Sequence, residues 1–348
     1  MPRLMFLVSS ARVLPLDDGT TYETGTFAEE ALTPYERFVE AGLDFDVVTP
    51  DGNPPNIDPY GLEPIFHYPD EDEDFLGTIT RTFAHDIDDI RLTLRHITEL
   101  GLIGARRIFQ ALRGKGLSPV EARELISKAA KDSWERDRQF ADTLTGPACP
   151  LTRAEIGQRI GEVIAESEAE SARVARTLAE IPGFRHPLNL GEMSDEQMAS
   201  YDAVFAPGGH GPMVDLADNP DVRRLLAILH EASAPIASLC HGPAMLLSAG
   251  AKVDGTWLFD GYRVTAITNE EEYQTEPSAR PVADGAERPT GQVQWQIESA
   301  LRNAGAVFDD ARAPWTSHVV VDRNLITGQN PNSSEAVADA VLKSLNLL

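Results

Sequence analysis

A short segment near residue 240 combines residue types that nucleophilic catalysis requires. Cys240-His241-Gly242 directly follows the apolar run 235–239 and precedes a stretch with helical character. A side chain at such a junction projects out of the sheet, and a helix N-terminus favours the thiolate form of a cysteine. Packing explains one buried cysteine, but it does not explain the adjacent histidine and glycine. We therefore predict that Cys240 is a nucleophile.

A second segment is the glycine-rich run Pro207-Gly208-Gly209-His210-Gly211, which follows the apolar run 203–206. Consecutive glycines let the backbone turn sharply and leave N–H groups unobstructed, as an oxyanion or phosphate site requires. The run lacks both the G-x-G-x-x-G spacing and a Walker lysine, so nucleotide binding is not supported. His210 is interpreted in two ways: it contacts a ligand, or it only closes the turn.

Strands that alternate with helices must position these two segments. A strand at 4–8, a helix at 27–41 and a strand at 45–48 form a first βαβ unit. The later strands are expected at 203–206, 235–239, 264–268, 319–322 and 325–327, and the later helices at 221–232 and 333–345. This alternation predicts a mostly parallel sheet with helices on both faces. Ligands bind beyond the carboxyl ends of such strands, where both glycine-containing segments lie.

Helical periodicity replaces strand signals over residues 77–186. Ser118 with Glu121 and Thr152 with Glu155 form capping boxes, and apolar residues recur at helical spacing from 156 to 181. We interpret 1–76 and 187–348 as the core domain and 77–186 as an all-helical insertion. Its apolar face suits a lid over Cys240 or the interface of a homodimer, and the two alternatives stay open.

The composition indicates which binding partners are excluded and which cell compartment is expected. The chain has 348 residues, with 30 Lys and Arg against 55 Asp and Glu, a net charge of −25. Such a field repels nucleic acid and anionic membrane surfaces. Two cysteines cannot form a disulfide framework, and no apolar stretch approaches the roughly 20 residues that span a bilayer. We expect a cytoplasmic protein in which Cys149, with no histidine or acid beside it, is an ordinary small residue.

The two segments, together with residues 22–34, 44–50 and 328–331, resemble the ThiJ/PfpI superfamily, which is related to class I glutamine amidotransferases, and specifically its heat-shock chaperone and glyoxalase III branch. The resemblance implies a flavodoxin-like three-layer sandwich and a reaction that needs no cofactor. It also implies that Cys240 is the nucleophile and that Glu30 hydrogen-bonds its sulfur, with Glu29 left in solvent. The N–H groups of Gly209 and His241 would hold an oxyanion, next to Gly208 and His210.

The resemblance further implies a catalytic acid that orients His241. The segment 264–269 places Glu272 in this role, but Glu270 and Glu271 adjoin it, and the three glutamates could instead form a solvated loop. Glutamine amidotransferases need a His-x-Glu after their cysteine. The only histidine after His241 is His318, followed by two valines, so ammonia transfer is not expected.

The resulting hypothesis is a glyoxalase III-like enzyme that converts a small 2-oxoaldehyde to a 2-hydroxy acid, or a related hydrolase or lyase. Two alternatives are a holdase chaperone or redox-sensing stress protein, and a biosynthetic hydrolase or hydratase for a bulky metabolite. A metal site built from His67, Glu71 and His85 has loose spacing, so we expect no metal. The acidic run 70–74 is interpreted as a solvated loop.

Overall fold

The computed structural model describes residues 2–63, 66–67, 99–250, 255–275 and 290–348. These residues form two compact units. A sheet unit holds 2–61, 174–250, 255–275 and 290–348, and a helical unit holds 62–63, 66–67 and 99–173. Part of the predicted insertion, residues 77–98, lies outside the described residues, as do the acidic run 70–74 and His85. The insertion boundaries therefore stay a prediction.

The sheet unit is built on one sheet of seven strands: Arg3–Leu7 (β1), Asp44–Thr49 (β4), Leu188–Asn189 (β5), Ala203–Ala206 (β6), Ile236–Leu239 (β7), Val319–Asp322 (β10) and Leu325–Gly328 (β11). Their order across the sheet is β10-β11-β7-β6-β1-β4-β5. Every neighbouring pair is parallel except β10 with β11, which form an antiparallel hairpin. Two further pairs form separate small sheets: Val13–Pro15 (β2) with Thr21–Glu23 (β3), and Arg263–Val264 (β8) with Val307–Phe308 (β9).

The helices flank this sheet as a flavodoxin-like three-layer sandwich, which confirms the predicted fold class. One layer contains the first and last described helices, which pack on each other, while another helix packs on β7. The helices of the sheet unit are Ala28–Glu40 (α1), Asp195–Met198 (α6), Gly211–Asp215 (α7), Pro220–Glu231 (α8), Asn269–Thr275 (α9), Ile297–Ala304 (α10) and Ser334–Ser344 (α11). The first and last helices are thus α1 and α11, and the helix on β7 is α8.

The helical unit contains its own apolar core. Its helices are Ala105–Gly114 (α2), Pro119–Glu135 (α3), Phe140–Thr143 (α4) and Arg153–Glu180 (α5), the last of which continues into the sheet unit. Both predicted capping boxes are confirmed, since Ser118 and Thr152 exchange hydrogen bonds with the glutamates three residues later. Buried apolar side chains from the four helices form one cluster: Ile108, Leu112, Ile126, Trp134, Phe140 and Ile156. No helix among the described residues is both long and apolar enough to span a bilayer.

Most predicted strands agree with the structure to within a residue or two, but the strand at 264–268 is wrong beyond Val264. Residues 265–268 connect the short strand β8 to helix α9. Their backbone is held by single hydrogen bonds: the N–H of Thr265 donates to the Thr327 hydroxyl and that of Ile267 to the Cys240 carbonyl. Without a ladder of main-chain pairs, an apolar run does not become a strand.

Three phenylalanines pack the neighbouring strands β1 and β6 against α1. The ring centroid of Phe205 lies 5.2 Å from that of Phe6 and 5.5 Å from that of Phe38, and all three side chains are buried. We expect Phe205→Ala to lower the free energy of unfolding by about 3–5 kcal/mol, because it removes this contact area and leaves a cavity. Urea denaturation measures the change.

A control for this variant is Val321→Ala on the edge strand β10, whose side chain is 56% exposed. Surface changes of this kind alter stability by about 0.5 kcal/mol or less. Equal losses in the two variants would contradict the assignment of Phe205 to the core.

Candidate active site

Cys240 occupies a strained turn at the carboxyl end of β7. Its φ angle is 57°, in the left-handed region that residues other than glycine rarely adopt. Hydrogen bonds hold both sides of the residue, because its N–H donates to Gly328 and its carbonyl accepts from Ile267. The predicted helix after it is a 3₁₀-helix, Gly242–Ser248. Backbone strain supported on both sides is typical of functional sites.

The glycine-rich run brings the end of β6 against this turn. A Cβ atom at Gly208 would lie 2.5 Å from Glu30 Oε2 and 2.7 Å from the His241 nitrogen, so only glycine fits. Gly209 has a φ of 81°, which also favours glycine. The N–H of Phe27 donates to the Gly208 carbonyl at 3.2 Å and so ties the start of α1 to the same loop.

Two backbone N–H groups predicted to hold an oxyanion lie in these turns. Within the described chain, the N–H groups of Gly209 and His241 donate no hydrogen bond to another residue, whereas that of Gly208 donates to Glu30 Oε2 at 2.8 Å. Gly208 therefore binds the carboxyl of Glu30 and does not offer its N–H to a ligand. Fixed, unpaired N–H groups suit a developing negative charge.

Glu30 lies in the first turn of α1 and is fully buried. Burial raises its pKa to about 8, and the opposing effects of the Cys240 thiol and the Gly208 N–H are smaller. The carboxyl is therefore mostly protonated at neutral pH. Glu29 beside it is half-buried and accepts a hydrogen bond from the Thr33 hydroxyl, so only Glu30 faces the cysteine.

The electrostatics of Cys240 differ from the sequence-based expectation. Burial raises the pKa of the thiol well above its usual value. At the high pH where the thiol would ionise, Glu30 is ionised as well, and its charge acts in the same direction, as do the charges of Glu271 and Glu272. The element that follows is a seven-residue 3₁₀-helix, and burial favours the neutral thiol over the thiolate that the sequence led us to expect. The thiol needs a base within reach.

His241 supplies a nitrogen at that distance. Its Nδ1 lies 3.2 Å from Cys240 Sγ, and its Nε2 lies 2.6 Å from Glu272 Oε2. Burial opposes ionisation of Glu272, but His210 and His241 outweigh it and hold its pKa well below the usual range. An ionised carboxylate only accepts hydrogen bonds, so the neutral His241 ring carries its proton on Nε2. The lone pair of Nδ1 then faces the thiol.

The structure distinguishes the three consecutive glutamates. Glu270 is exposed, and Glu272 is the one in contact with His241. Glu271 is buried and accepts hydrogen bonds from five donors: Thr268 N, Thr268 Oγ1, Trp315 N, Gln329 Nε2 and Asn330 Nδ2. Glu271 therefore joins α9 to the loop before β10 and to the end of β11. The sequence signal for this role is the Gln329-Asn330 pair, which lies in the segment 328–331 of the family resemblance.

His210 contacts the same carboxylate as His241. Its Nε2 lies 2.8 Å from Glu272 Oε1, and the two histidine rings are 4.0 Å apart. The ligand atoms of His210, His241 and Glu272 all lie within 4.8 Å and could together hold a metal ion. The nitrogen–oxygen separations, however, are those of hydrogen bonds. Of the metal site considered from sequence, only His67 lies in the described chain, where it is buried.

Cys149 differs from Cys240 in its surroundings. It belongs to the helical unit, is half-buried, and its sulfur lies 3.6 Å from the Leu151 carbonyl oxygen. Among the described residues, no histidine or carboxylate is hydrogen-bonded to its sulfur. It is a suitable control cysteine for chemical modification.

The raised pKa of Glu30 makes stability depend on pH. Between the ordinary value of 4.5 and about 8, the folded protein binds more protons than the unfolded chain, so stability falls as pH rises through this range. Each unit corresponds to about 1.4 kcal/mol, so the loss amounts to a few kcal/mol. We expect Glu30→Gln to remove this slope and to be more stable than the wild type near pH 8.5. Urea denaturation from pH 5 to 8.5 measures it.

The matched control is Glu29→Gln, which removes a half-exposed neighbour and should keep the wild-type slope. A Glu30→Gln variant with the same pH slope as the wild type would show that the carboxyl is not protonated in the folded protein.

Comparison with known proteins links the chain to one family. The model of the DJ-1/PfpI family matches residues 189–344. A probable glutathione-independent glyoxalase of Schizosaccharomyces pombe is 30% identical over 45% of this chain and 67% of its own length. A glutamine amidotransferase-like class 1 domain-containing protein of Bos taurus is 35% identical over 39% of this chain and 56% of its own length. The chain thus spans little more than half of this relative.

A longer match exists at lower identity. The protein/nucleic acid deglycase HchA of Staphylococcus aureus is 22% identical over 99% of this chain and 81% of its own length. Among solved structures, glyoxalase III from Candida albicans superposes with a TM-score of 0.54 at 15% identity, covering 99% of this chain and 97% of the other. That likeness supports the fold. The chain belongs to the DJ-1/PfpI family, as the resemblance of its motifs predicted.

Proposed function

We propose that the protein is a cofactor-independent, glyoxalase III-like enzyme that uses Cys240 to convert a small 2-oxoaldehyde to a 2-hydroxy acid. The observation that carries the proposal is the position of the Cys240 sulfur, 3.2 Å from His241 Nδ1 and beside the buried carboxyl of Glu30. The thiol thus has a base on one side and a group of near-neutral pKa on the other.

In the first step, sulfur adds to the aldehyde carbon as His241 Nδ1 takes the thiol proton. Glu272 stabilises the imidazolium that forms, because its carboxylate accepts from Nε2 at 2.6 Å. The carbonyl oxygen becomes an oxyanion, and the N–H groups of Gly209 and His241 are the donors that can hold it. Protonation of this oxygen gives a hemithioacetal.

In the second step, the hemithioacetal isomerises through an enediol: a proton moves from the former aldehyde carbon to the neighbouring carbonyl carbon, and the hydroxyl proton moves to the neighbouring carbonyl oxygen. Glu30 is the group we assign to this transfer, because a carboxyl with a pKa near 8 can both accept and return a proton near neutral pH. The product is a thioester of Cys240 with the 2-hydroxy acid. Water then hydrolyses the thioester and restores the thiol, so the sum is addition of one water to the 2-oxoaldehyde.

The relatives support a carbonyl substrate, but they leave its form open. The names of the yeast and staphylococcal relatives point to free oxoaldehydes and to glycated proteins or nucleic acids, respectively. The net charge of −25 on this chain repels a phosphate backbone. A small free aldehyde is therefore the substrate that we favour.

The test is turnover of methylglyoxal to lactate without glutathione. We expect Cys240→Ala to fall to background, because no nucleophile remains. Glu30→Gln should lose about 10²–10⁴-fold in kcat, the range for removal of a general acid or base. Cys149→Ala should keep the wild-type rate. Mass spectrometry of the wild type during turnover should show an adduct on the peptide that contains Cys240.

Three outcomes would contradict the proposal or redirect it. Wild-type rates in Cys240→Ala would exclude a thiol mechanism. Absence of both turnover and adduct, combined with suppression of client aggregation that survives Cys240→Ala, would favour the holdase alternative. Turnover confined to bulky carbonyl compounds in a substrate panel would favour a dedicated biosynthetic hydrolase or hydratase.

A further inference from the structure

Two buried histidines share one carboxylate at the site. Glu272 Oε2 lies 2.6 Å from His241 Nε2, and Glu272 Oε1 lies 2.8 Å from His210 Nε2. All three side chains are at least 95% buried. Each carboxylate oxygen therefore has its own histidine, in a place where water does not replace a lost donor. The triad of Cys240, His241 and Glu272 does not by itself require the second histidine.

We propose that His210 is a positioning residue that acts through Glu272: its Nε2–H holds this carboxylate in place, and the carboxylate thereby holds Nδ1 of His241 toward the Cys240 thiol. The proposal rests on the proposed role of Cys240 as nucleophile. In this role His210 does not act by contacting the substrate, and it does more than close the turn, which were the two interpretations that the sequence left open.

The protonation states follow from the geometry. An ionised carboxylate has no proton to donate, so both Nε2 atoms must carry hydrogen. The Nε2–H form of neutral His241 leaves Nδ1 unprotonated, as a base for the thiol requires. If Glu272 were protonated, its O–H could donate to a histidine nitrogen and favour the opposite tautomer of His241. The second histidine stabilises the charged carboxylate and therefore the productive tautomer.

Loss of the His210 donor shifts the pH dependence of Cys240 reactivity in one direction. Glu272 with a single donor protonates at a higher pH, which removes the productive tautomer. The acid side of the pH profile of Cys240 reactivity therefore moves to higher pH. Among the residues that the structure describes, the titratable groups that face this network include Cys240 on the β7 turn, Glu30 on α1, Glu271 and Glu272 on α9, and His210 after β6.

The experiment measures alkylation of Cys240 by iodoacetamide as a function of pH, followed on its own peptide by mass spectrometry. His210→Phe keeps a ring of similar size but has no N–H. His210→Gln keeps an N–H near the position of Nε2. On the acid side of the profile, the alkylation rate falls as pH decreases. We expect this fall in His210→Phe to lie about one pH unit above that of the wild type, which corresponds to a tenfold change in the ratio of protonation states. The fall in His210→Gln should coincide with that of the wild type.

The readout does not require turnover, so a protein that is inactive on carbonyl compounds still tests the role of His210. An alkylation profile of His210→Phe that coincides with the wild type on its acid side would overturn the proposal. Equal shifts in His210→Phe and His210→Gln would assign His210 to packing. A residue that only contacts substrate would change KM and leave the alkylation profile unmoved.

A second measurement decides the question if His210→Phe does not fold or if the wild-type thiol is not alkylated. Long-range nitrogen–proton NMR of the wild type with ¹⁵N-labelled histidine reports the tautomer of each ring. We expect His210 and His241 both in the Nε2–H form at neutral pH. An Nδ1–H form of either histidine would overturn the proposal.

Discussion

The close approach of two strand ends is the constraint on which the site depends. Gly208, after β6, lies so near Cys240 and His241, after β7, that a single added carbon at Gly208 would overlap both turns. The same glycine accepts from the start of α1 and donates to Glu30. Three elements from distant parts of the sequence therefore meet at one residue without a side chain. Any larger residue there must separate the thiol, the acid and the oxyanion donors.

Burial determines the chemistry of the groups that meet there. Desolvation keeps the proton on Glu30 and on Cys240, whereas two histidines keep Glu272 ionised. Two carboxyl groups in one small volume thus have opposite protonation states at neutral pH. Such separation gives a site both a proton donor and a charged partner for an imidazole. Glu271, which is also buried, accepts hydrogen bonds from five donors and joins α9 to the end of β11.

The sequence predicted the main strands and the positions of Cys240 and the glycine-rich run because both signals are local. An apolar run followed by glycine, or by cysteine and histidine, marks the end of a strand without reference to the rest of the chain. The partner of His210 is 62 residues away, and the thiol is desolvated by side chains from several elements, so neither property has a local signal. The strand predicted at 264–268 is wrong beyond Val264 for a related reason: its apolar residues are buried by neighbouring side chains and are not paired in a sheet.

In the sequence, the helical unit lies between two strands that are neighbours in the sheet. Val48 of β4 pairs with Leu188 of β5, so the sheet itself fixes both ends of the long connection at neighbouring strand positions. The entropy of closing a loop rises only slowly with its length, by about 0.6 kcal/mol for each doubling. Lengthening this crossover by a whole set of helices therefore adds little to the cost of assembling the sheet. An inserted module with its own core can vary in size at this position while the register of β4 and β5 is preserved.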